Sequence, residues 1–206
     1  ELVRQLREKD AQVLGTASNN DSAARIPAGV EVRLLLDYTK PESIKTLTDY
    51  LVASADLDAI INASGVVAFG EASETPAEIV SQLFAINATG PIQLLSALAP
   101  LLAKKEQSVV VNLTGVVAET ALPSIAAYSA SKFAINGFLQ ATAREWRRAG
   151  TNVISARPGH TETGLADRAI FGTAPKFPAG KMAHEVASRI IQAIETDEKD
   201  LDSKSF

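Results

Sequence analysis

Val109-Val110-Val111-Asn112-Leu113-Thr114-Gly115 is an apolar run that closes on a polar cluster. Three β-branched residues in succession suit an extended strand. A continuous apolar run, rather than an alternating one, marks a strand covered on both faces. Similar runs lie at residues 11–16, 30–36, 57–61 and 153–156. Helical patterns separate them. One covers 41–54 and opens with Pro41, which suits a first turn. Another covers 75–102, where Thr75 and Glu78 have capping-box spacing and Gly90-Pro91 predicts a bend. A third covers 126–149 and stops at Gly150; a fourth covers 183–196, and a further helix is under way from Leu2. Strand-helix alternation of this kind gives a parallel sheet with helices on both faces. The expected fold is α/β, a doubly wound parallel sheet in three layers and one domain over 1–206. The charged tail 197–206 is expected to fray.

The chain has 206 residues, enough for one domain with a substantial core. Its net charge is −4 and no Lys/Arg run exceeds two, which speaks against nucleic acid and anionic membranes as partners. With no cysteine, disulfides and thiolate metal sites are excluded. His160 and His184 are the only two histidines and stand far apart, so no metal is expected. No apolar run approaching the ~20 residues of a span is read here, and no signal-peptide pattern opens the chain, so a cytoplasmic location is expected.

Polar clusters end the strands. Asp37 follows the second, Asn62-Ala63-Ser64-Gly65 the third, Asn112-Leu113-Thr114-Gly115 the fourth, and Arg157-Pro158-Gly159-His160-Thr161-Glu162-Thr163 the fifth. Each alone is ordinary turn chemistry. Together they fall on the carboxyl edge of one parallel sheet, where ligands bind. Tyr128-Ser129-Ala130-Ser131-Lys132 adds a phenol and an ammonium at i and i+4 on one helix face. A phenol titrates near ~10, and a cation held beside it favours the phenolate. The pair suits proton transfer to or from a carbonyl or alcohol oxygen.

With these residues in place the chain resembles a short-chain dehydrogenase/reductase over nearly its whole length, and the NADP-dependent ketoacyl-reductase-like branch in particular. Asn62-Ala63-Ser64-Gly65 is similar to that family's Asn-Asn-Ala-Gly turn with one change. Phe84-Ala85-Ile86-Asn87, Tyr128-Ser129-Ala130-Ser131-Lys132 and Pro158-Gly159 match further motifs, and residues 11–17 resemble its second strand. The resemblance implies a Rossmann-like domain and hydride transfer between a nicotinamide and a carbonyl or secondary alcohol. Tyr128 is implied as acid-base, with Lys132 lowering its pKa and holding the nicotinamide ribose. Asn87 is implied to hold a relay water. Asn62, Ala63 and Gly65 are implied against the adenosine ribose, Asp37 on the adenine amino group, and Pro158, Gly159 and Thr163 about the carboxamide. After the first visible strand stand Thr16-Ala17-Ser18-Asn19-Asn20, with no acid to repel a 2′-phosphate. Ser18 and Arg25 therefore favour NADP(H) over NAD.

Two departures stand out. No G-x-x-x-G-x-G turn for pyrophosphate occurs in the sequence, and the resemblance predicts an upstream segment of roughly 20 residues carrying it with a first strand. The family's catalytic Ser lies thirteen residues before the Tyr, where this chain has Gly115. Thr114 is the expected substitute hydroxyl, with Ser124, Ser129 and His160 as weaker ones. Residues 164–180 are expected to cover the substrate, and Leu165, Ala166, Ile170, Phe171 and Phe177 point to an apolar one. The alternative reading is a catalytically impaired dinucleotide-binding regulatory or scaffold protein, for which Gly115 speaks. A homodimer through the long helices goes with the resemblance.

Overall fold

The computed structural model describes residues 1–27, 29–30, 33–54 and 56–206. Helix α1 (Leu2–Glu8) leads to strand β1 (Gly15–Ala17), the one-turn helix α2 (Asn20–Ala23) and β2 (Arg33–Leu35). Helix α3 (Pro41–Ser54) precedes β3 (Ala59–Asn62). A long helix follows in two parts, α4 (Ala77–Phe84) and α5 (Gly90–Leu102), joined by a π-helical turn over Ala85–Thr89. Then come β4 (Ser108–Leu113), α6 (Ala126–Glu145) and β5 (Thr151–Ala156). A short parallel pair, β6 (Thr161–Glu162) and β7 (Lys181–Met182), precedes α7 (Ala183–Glu195).

All ladders are parallel, and among the described residues they form two larger groups, β1-β2 and β3-β4-β5. Strand alternation sends neighbouring side chains to opposite layers. Val110 and Val153 pack with Leu95, Leu102, Ile135 and Leu139 of α5 and α6. Val111 and Ile154 pack with Val186 and Ile190 of α7, and Leu2 of α1 lies against that same cluster. These are the expected three layers. The register aligns Asn62, Asn112 and Ser155 in one row across the carboxyl end of the sheet.

Several local expectations need correction. Strand β1 starts at Gly15, later than 11, and Glu31 and Val32 of the strand read at 30–36 lie outside the described residues. Thr75 does not cap α4. Its hydroxyl donates to the Glu71 carbonyl at 3.0 Å, and Pro76 stands at the N-cap. At Gly90-Pro91, where a bend is expected, the helix resumes as α5 directly after the π turn. Gly90 serves a different need, since a Cβ there would come within 2.5 Å of the Tyr38 ring. The stretch Ala77–Leu102 does meet the length and apolarity of a membrane span, contrary to the sequence reading. Leu83, Leu94, Leu95, Leu98 and Leu102 of that stretch are buried inside the domain.

The tail does not fray. Leu201 is fully buried and bridges β5 at Ala156, with the Arg157 amide donating to its carbonyl at 2.9 Å. Arg189 of α7 holds Glu198 through two bonds of 2.9 and 2.7 Å and donates to the Ser205 carbonyl at 2.8 Å. Two of the tail's carboxylates, Glu198 and Asp200, pair with arginines outside it. Leu201→Ala is expected to cost about 2–4 kcal/mol, the loss typical of a fully buried leucine. The midpoint of urea unfolding measures it, and an unchanged midpoint would return the tail to a frayed state.

Candidate active site

Helix α6 carries the central pair. One turn apart on one face, Tyr128 and Lys132 are both buried, and the Lys132 amine lies 5.9 Å from the Tyr128 ring centroid. The amine donates to the Leu113 carbonyl at the end of β4, 3.1 Å away. An ammonium has three donors, so this leaves two for a ligand. Above it passes the loop after β3, where a Cβ on Gly65 would stand 3.2 Å from the Lys132 amine and 3.3 Å from Asn87 Oδ1. Only glycine brings that backbone so near the cation without displacing it.

Asn87, in the π turn and 2% exposed, fixes the loop from the other side. Its Oδ1 accepts from the Val66 amide at 2.9 Å, and its Nδ2 donates to the Val66 carbonyl at 2.9 Å and to Ser131 Oγ at 3.0 Å. Ser131 in turn donates to the Tyr128 carbonyl at 2.7 Å. A π turn widens the helix by one residue and turns a side chain inward that an α-helix would aim elsewhere. Asn62 closes the same loop. Its Oδ1 accepts from Ser64 Oγ at 2.6 Å and from Tyr38 Oη at 3.3 Å, while its Nδ2 donates to Asn112 Oδ1 at 2.5 Å.

Burial sets the charge states here. It pushes the Tyr128 phenol up to about 12 and the Lys132 ammonium down to about 8. The expectation that the cation lowers the phenol is therefore not met, because burial alone sets the direction for Tyr128. The amine points at Leu113, and among the described residues no group hydrogen-bonds the Tyr128 hydroxyl. Asp37, by contrast, lies below the ordinary carboxylate range, chiefly through the bond from the Thr39 hydroxyl.

The structure does not bring Thr114 to the cleft. It is 1% exposed, and its hydroxyl contacts Ser155 Oγ at 2.8 Å and the Ala156 carbonyl at 3.2 Å. Ser155 donates onward to Asn136, which donates to the Ala118 carbonyl. Thr114 thus belongs to a buried polar seam, and its assignment as the substitute catalytic hydroxyl is corrected. Gly115 stands at φ 83°, ψ 161°, a conformation nearly restricted to glycine. A side chain at this position would be strained whatever its chemistry. Of the weaker substitutes, Ser129 has a buried hydroxyl without a partner, Ser124 sits at φ 60°, and His160 stacks on Phe177 with centroids 4.8 Å apart.

On the cofactor side, Ser18 is within 3.4 Å of Ser22, and Asn19 caps α2. Asp37 accepts from Thr39 and pairs with Lys40 at 3.0 Å. Pro158 and Gly159 follow β5, and the Pro158 carbonyl accepts from the Val116 amide at 2.9 Å. Thr163 follows β6, its amide donating to Thr161. Ala63 lies beside Asn62 at the end of β3. Residues 164–180 cover this edge. The Phe69 amide donates to Phe171 and the Ile170 amide to Val67, each at 2.9 Å. A Cβ on Gly172 would lie 1.9 Å from the Phe69 carbonyl oxygen. Tyr128 shares one apolar cluster with Val67, Phe69 and Val117, against which Leu165, Ile170 and Phe171 pack. Sequence reading missed Tyr38, Ser131 and the π turn. The one signal for Tyr38 was Gly90, the residue that makes room for its ring.

A family model for short chain dehydrogenase matches residues 1–170. A "Dehydrogenase/reductase SDR family protein 7-like" of Anopheles gambiae is 27% identical over 186 residues, covering 86% of this chain and 59% of that protein. The mouse "Dehydrogenase/reductase SDR family member 7B" is 28% identical over 152 residues, 70% of this chain and 47% of that one. The chain thus spans about half the length of these relatives. Among solved structures, a short-chain dehydrogenase from Streptomyces avermitilis superposes with a TM-score of 0.86 at 22% identity, covering 98% of this chain and 82% of that one. One from Burkholderia cenocepacia in complex with NADP gives 0.84 at 22%, covering 98% and 81%. At that identity the likeness is one of fold.

Two expected outcomes come from this geometry. The Lys132 ammonium is disfavoured by folding, so the unfolded chain binds the extra proton between pH 8 and 10.5. Lys132→Met should raise stability by about 1–2 kcal/mol at pH 7. The gain should shrink as pH rises from 8 to 10.5, read from thermal unfolding across that range. Gly115→Ser should destabilise by about 1–3 kcal/mol through its backbone conformation. Calorimetry would show this, and an unchanged melting temperature would mean the loop relaxes freely.

Proposed function

The chain belongs to the short-chain dehydrogenase family, and from that premise we propose that it is an oxidoreductase acting on the carbonyl or secondary alcohol of an apolar small molecule, with NADP(H) as its preferred dinucleotide. The carrying observation is the buried Lys132 amine beneath Gly65, with one acceptor among the described residues, beside a Tyr128 hydroxyl that has none among them. Those donors and that cradle fit the hydroxyls of a ribose.

A bound dinucleotide supplies or accepts the hydride. Tyr128 gives its proton to the carbonyl oxygen in reduction and takes it back in oxidation. Lys132, drawn toward ligand hydroxyls, brings positive charge nearer the phenol and offsets the burial that raises it. Asn87 keeps the loop over Lys132 in place by holding Val66. Asn62, Ala63 and Gly65 would face the adenosine ribose, and Asp37 the adenine. Pro158, Gly159 and Thr163 would face the carboxamide. The residues here account for those ends of a dinucleotide and not for its pyrophosphate, for which the sequence has no glycine-rich turn.

Preference for NADP(H) is supported by the absence of an acid directly after β1, and by Ser18 and an exposed Arg25 at the end of α2. The NADP complex of the Burkholderia protein supports the same reading. An apolar substrate is supported by the cluster of Phe69, Val117, Ile170 and Phe171 around Tyr128. A homodimer through α5 and α6 fits the family, and Phe133, 42% exposed on α6, supports it.

A second reading is a dinucleotide-binding protein with weak turnover. Thr114 is engaged in the sheet, and Gly115 sits in a glycine-only conformation, so neither supplies a hydroxyl beside Tyr128. Fluorescence titration with NADPH and NADH, followed by NADPH oxidation with acetophenone as probe, separates the two. The first reading expects tighter NADPH than NADH binding and turnover that Tyr128→Phe lowers at least ~100-fold, with NADPH affinity within about two-fold. Binding without turnover selects the second reading, and no binding to either nucleotide overturns both.

A further inference from the structure

Arg157, between β5 and the Pro158-Gly159 turn, is a buried cation that the proposed chemistry does not use. It is 7% exposed. Its Nε donates to Glu119 at 2.6 Å, and its two terminal nitrogens donate to the carboxylate oxygens of Asp200 at 2.7 and 2.5 Å. One of those nitrogens also reaches the Ser155 carbonyl at 3.1 Å. Glu119 in turn accepts from the Ser203 amide at 2.9 Å and from its hydroxyl at 2.6 Å. The bonds close a ring through three segments: the turn after Gly115, the start of the Pro-Gly turn, and the tail at 200–203.

The place of this ring gives it meaning. Glu119 ends the one-turn 3-10 helix Val116–Ala118. Val117 of that turn packs in the apolar cluster of Tyr128, and the Val116 amide donates to Pro158. Gly115 and Gly159 flank these turns and carry no side chain to brace them. A two-point guanidinium-carboxylate pair fixes distance and angle together, which a single contact would not. We propose that Arg157 is a positioning residue, clamped by the tail through Asp200, which holds the 115–119 turn and the Pro158-Gly159 turn in register about Tyr128. Glu119 supports this. Burial raises its carboxyl, yet the bonds from Ser203 and Arg157 outweigh burial and hold it below the ordinary range.

The inference rests on the oxidoreductase reading for its effect on turnover, but not for the clamp itself. Arg157→Met risks misfolding, because it would strand Glu119. Asp200 is 58% exposed, so Asp200→Asn keeps the fold and removes the charge that holds the guanidinium. Hydrogen exchange followed by mass spectrometry reads the clamp directly. Asp200→Asn should speed exchange at least ten-fold over 115–120 and 157–162, with α3 unchanged, and Asp200→Glu should restore protection. In the acetophenone assay kcat should fall at least five-fold, with NADPH affinity within about two-fold. Faster exchange confined to 197–206 would overturn the clamp. Faster exchange in both turns with kcat unchanged would overturn the positioning role. Should the wild-type protein bind NADPH without turnover, the oxidoreductase reading fails, and exchange alone decides the clamp.

Discussion

The bond from the Lys132 amine to the Leu113 carbonyl is the interaction on which the site depends. It joins helix α6 to the end of β4 at a point buried from solvent. A buried ammonium with one acceptor is an unfavourable state by itself. It persists because the surroundings are over-determined. Asn87 pins Val66, Gly65 lies over the amine, and Ser131 ties Asn87 back to α6. The fold supplies this rigidity through layers of Val, Leu and Ile that contain no charge. The polar site is then confined to the carboxyl edge of the sheet.

The frame was legible because it rests on local signals. Helix α3 begins at Pro41 as read, and Gly150 ends the third helical stretch at φ 80°. The valines of 109–111 form β4. Tyr128 and Lys132 meet because helix geometry alone places i and i+4 together. What was illegible depends on partners far along the chain. Thr114 finds Ser155, 41 positions away, and Arg157 finds Asp200, 43 away. The side-chain inventory of a strand end does not say which layer each hydroxyl enters. Thr75 had the spacing of a cap, but Pro76, fixed in φ, took the N-cap and left the threonine hydroxyl to Glu71.

Gly115 shows a further limit of reading by position. Counting along the chain finds a glycine where a hydroxyl residue is usual, which looks like the loss of one side chain. The backbone at φ 83°, ψ 161° shows a conformation that itself calls for glycine. Its amide, with that of Thr114, donates to Ala156, and the Thr114 hydroxyl has turned into the seam with Ser155 and Asn136. Local conformation and hydroxyl placement go together here. The polar seam that results ties β4, β5 and α6 at the level of the cleft floor.

The cover at residues 164–180 is joined to the loop beneath it by main-chain bonds, Phe69 to Phe171 and Ile170 to Val67, with Gly172 seated on the Phe69 carbonyl. Main-chain bonds do not depend on side-chain identity. Leu165, Ala166, Ile170 and Phe177 can therefore be exchanged over evolutionary time while the cover keeps its seat, provided the glycine stays. The attachment of this segment to the domain is thereby uncoupled from the side chains it presents.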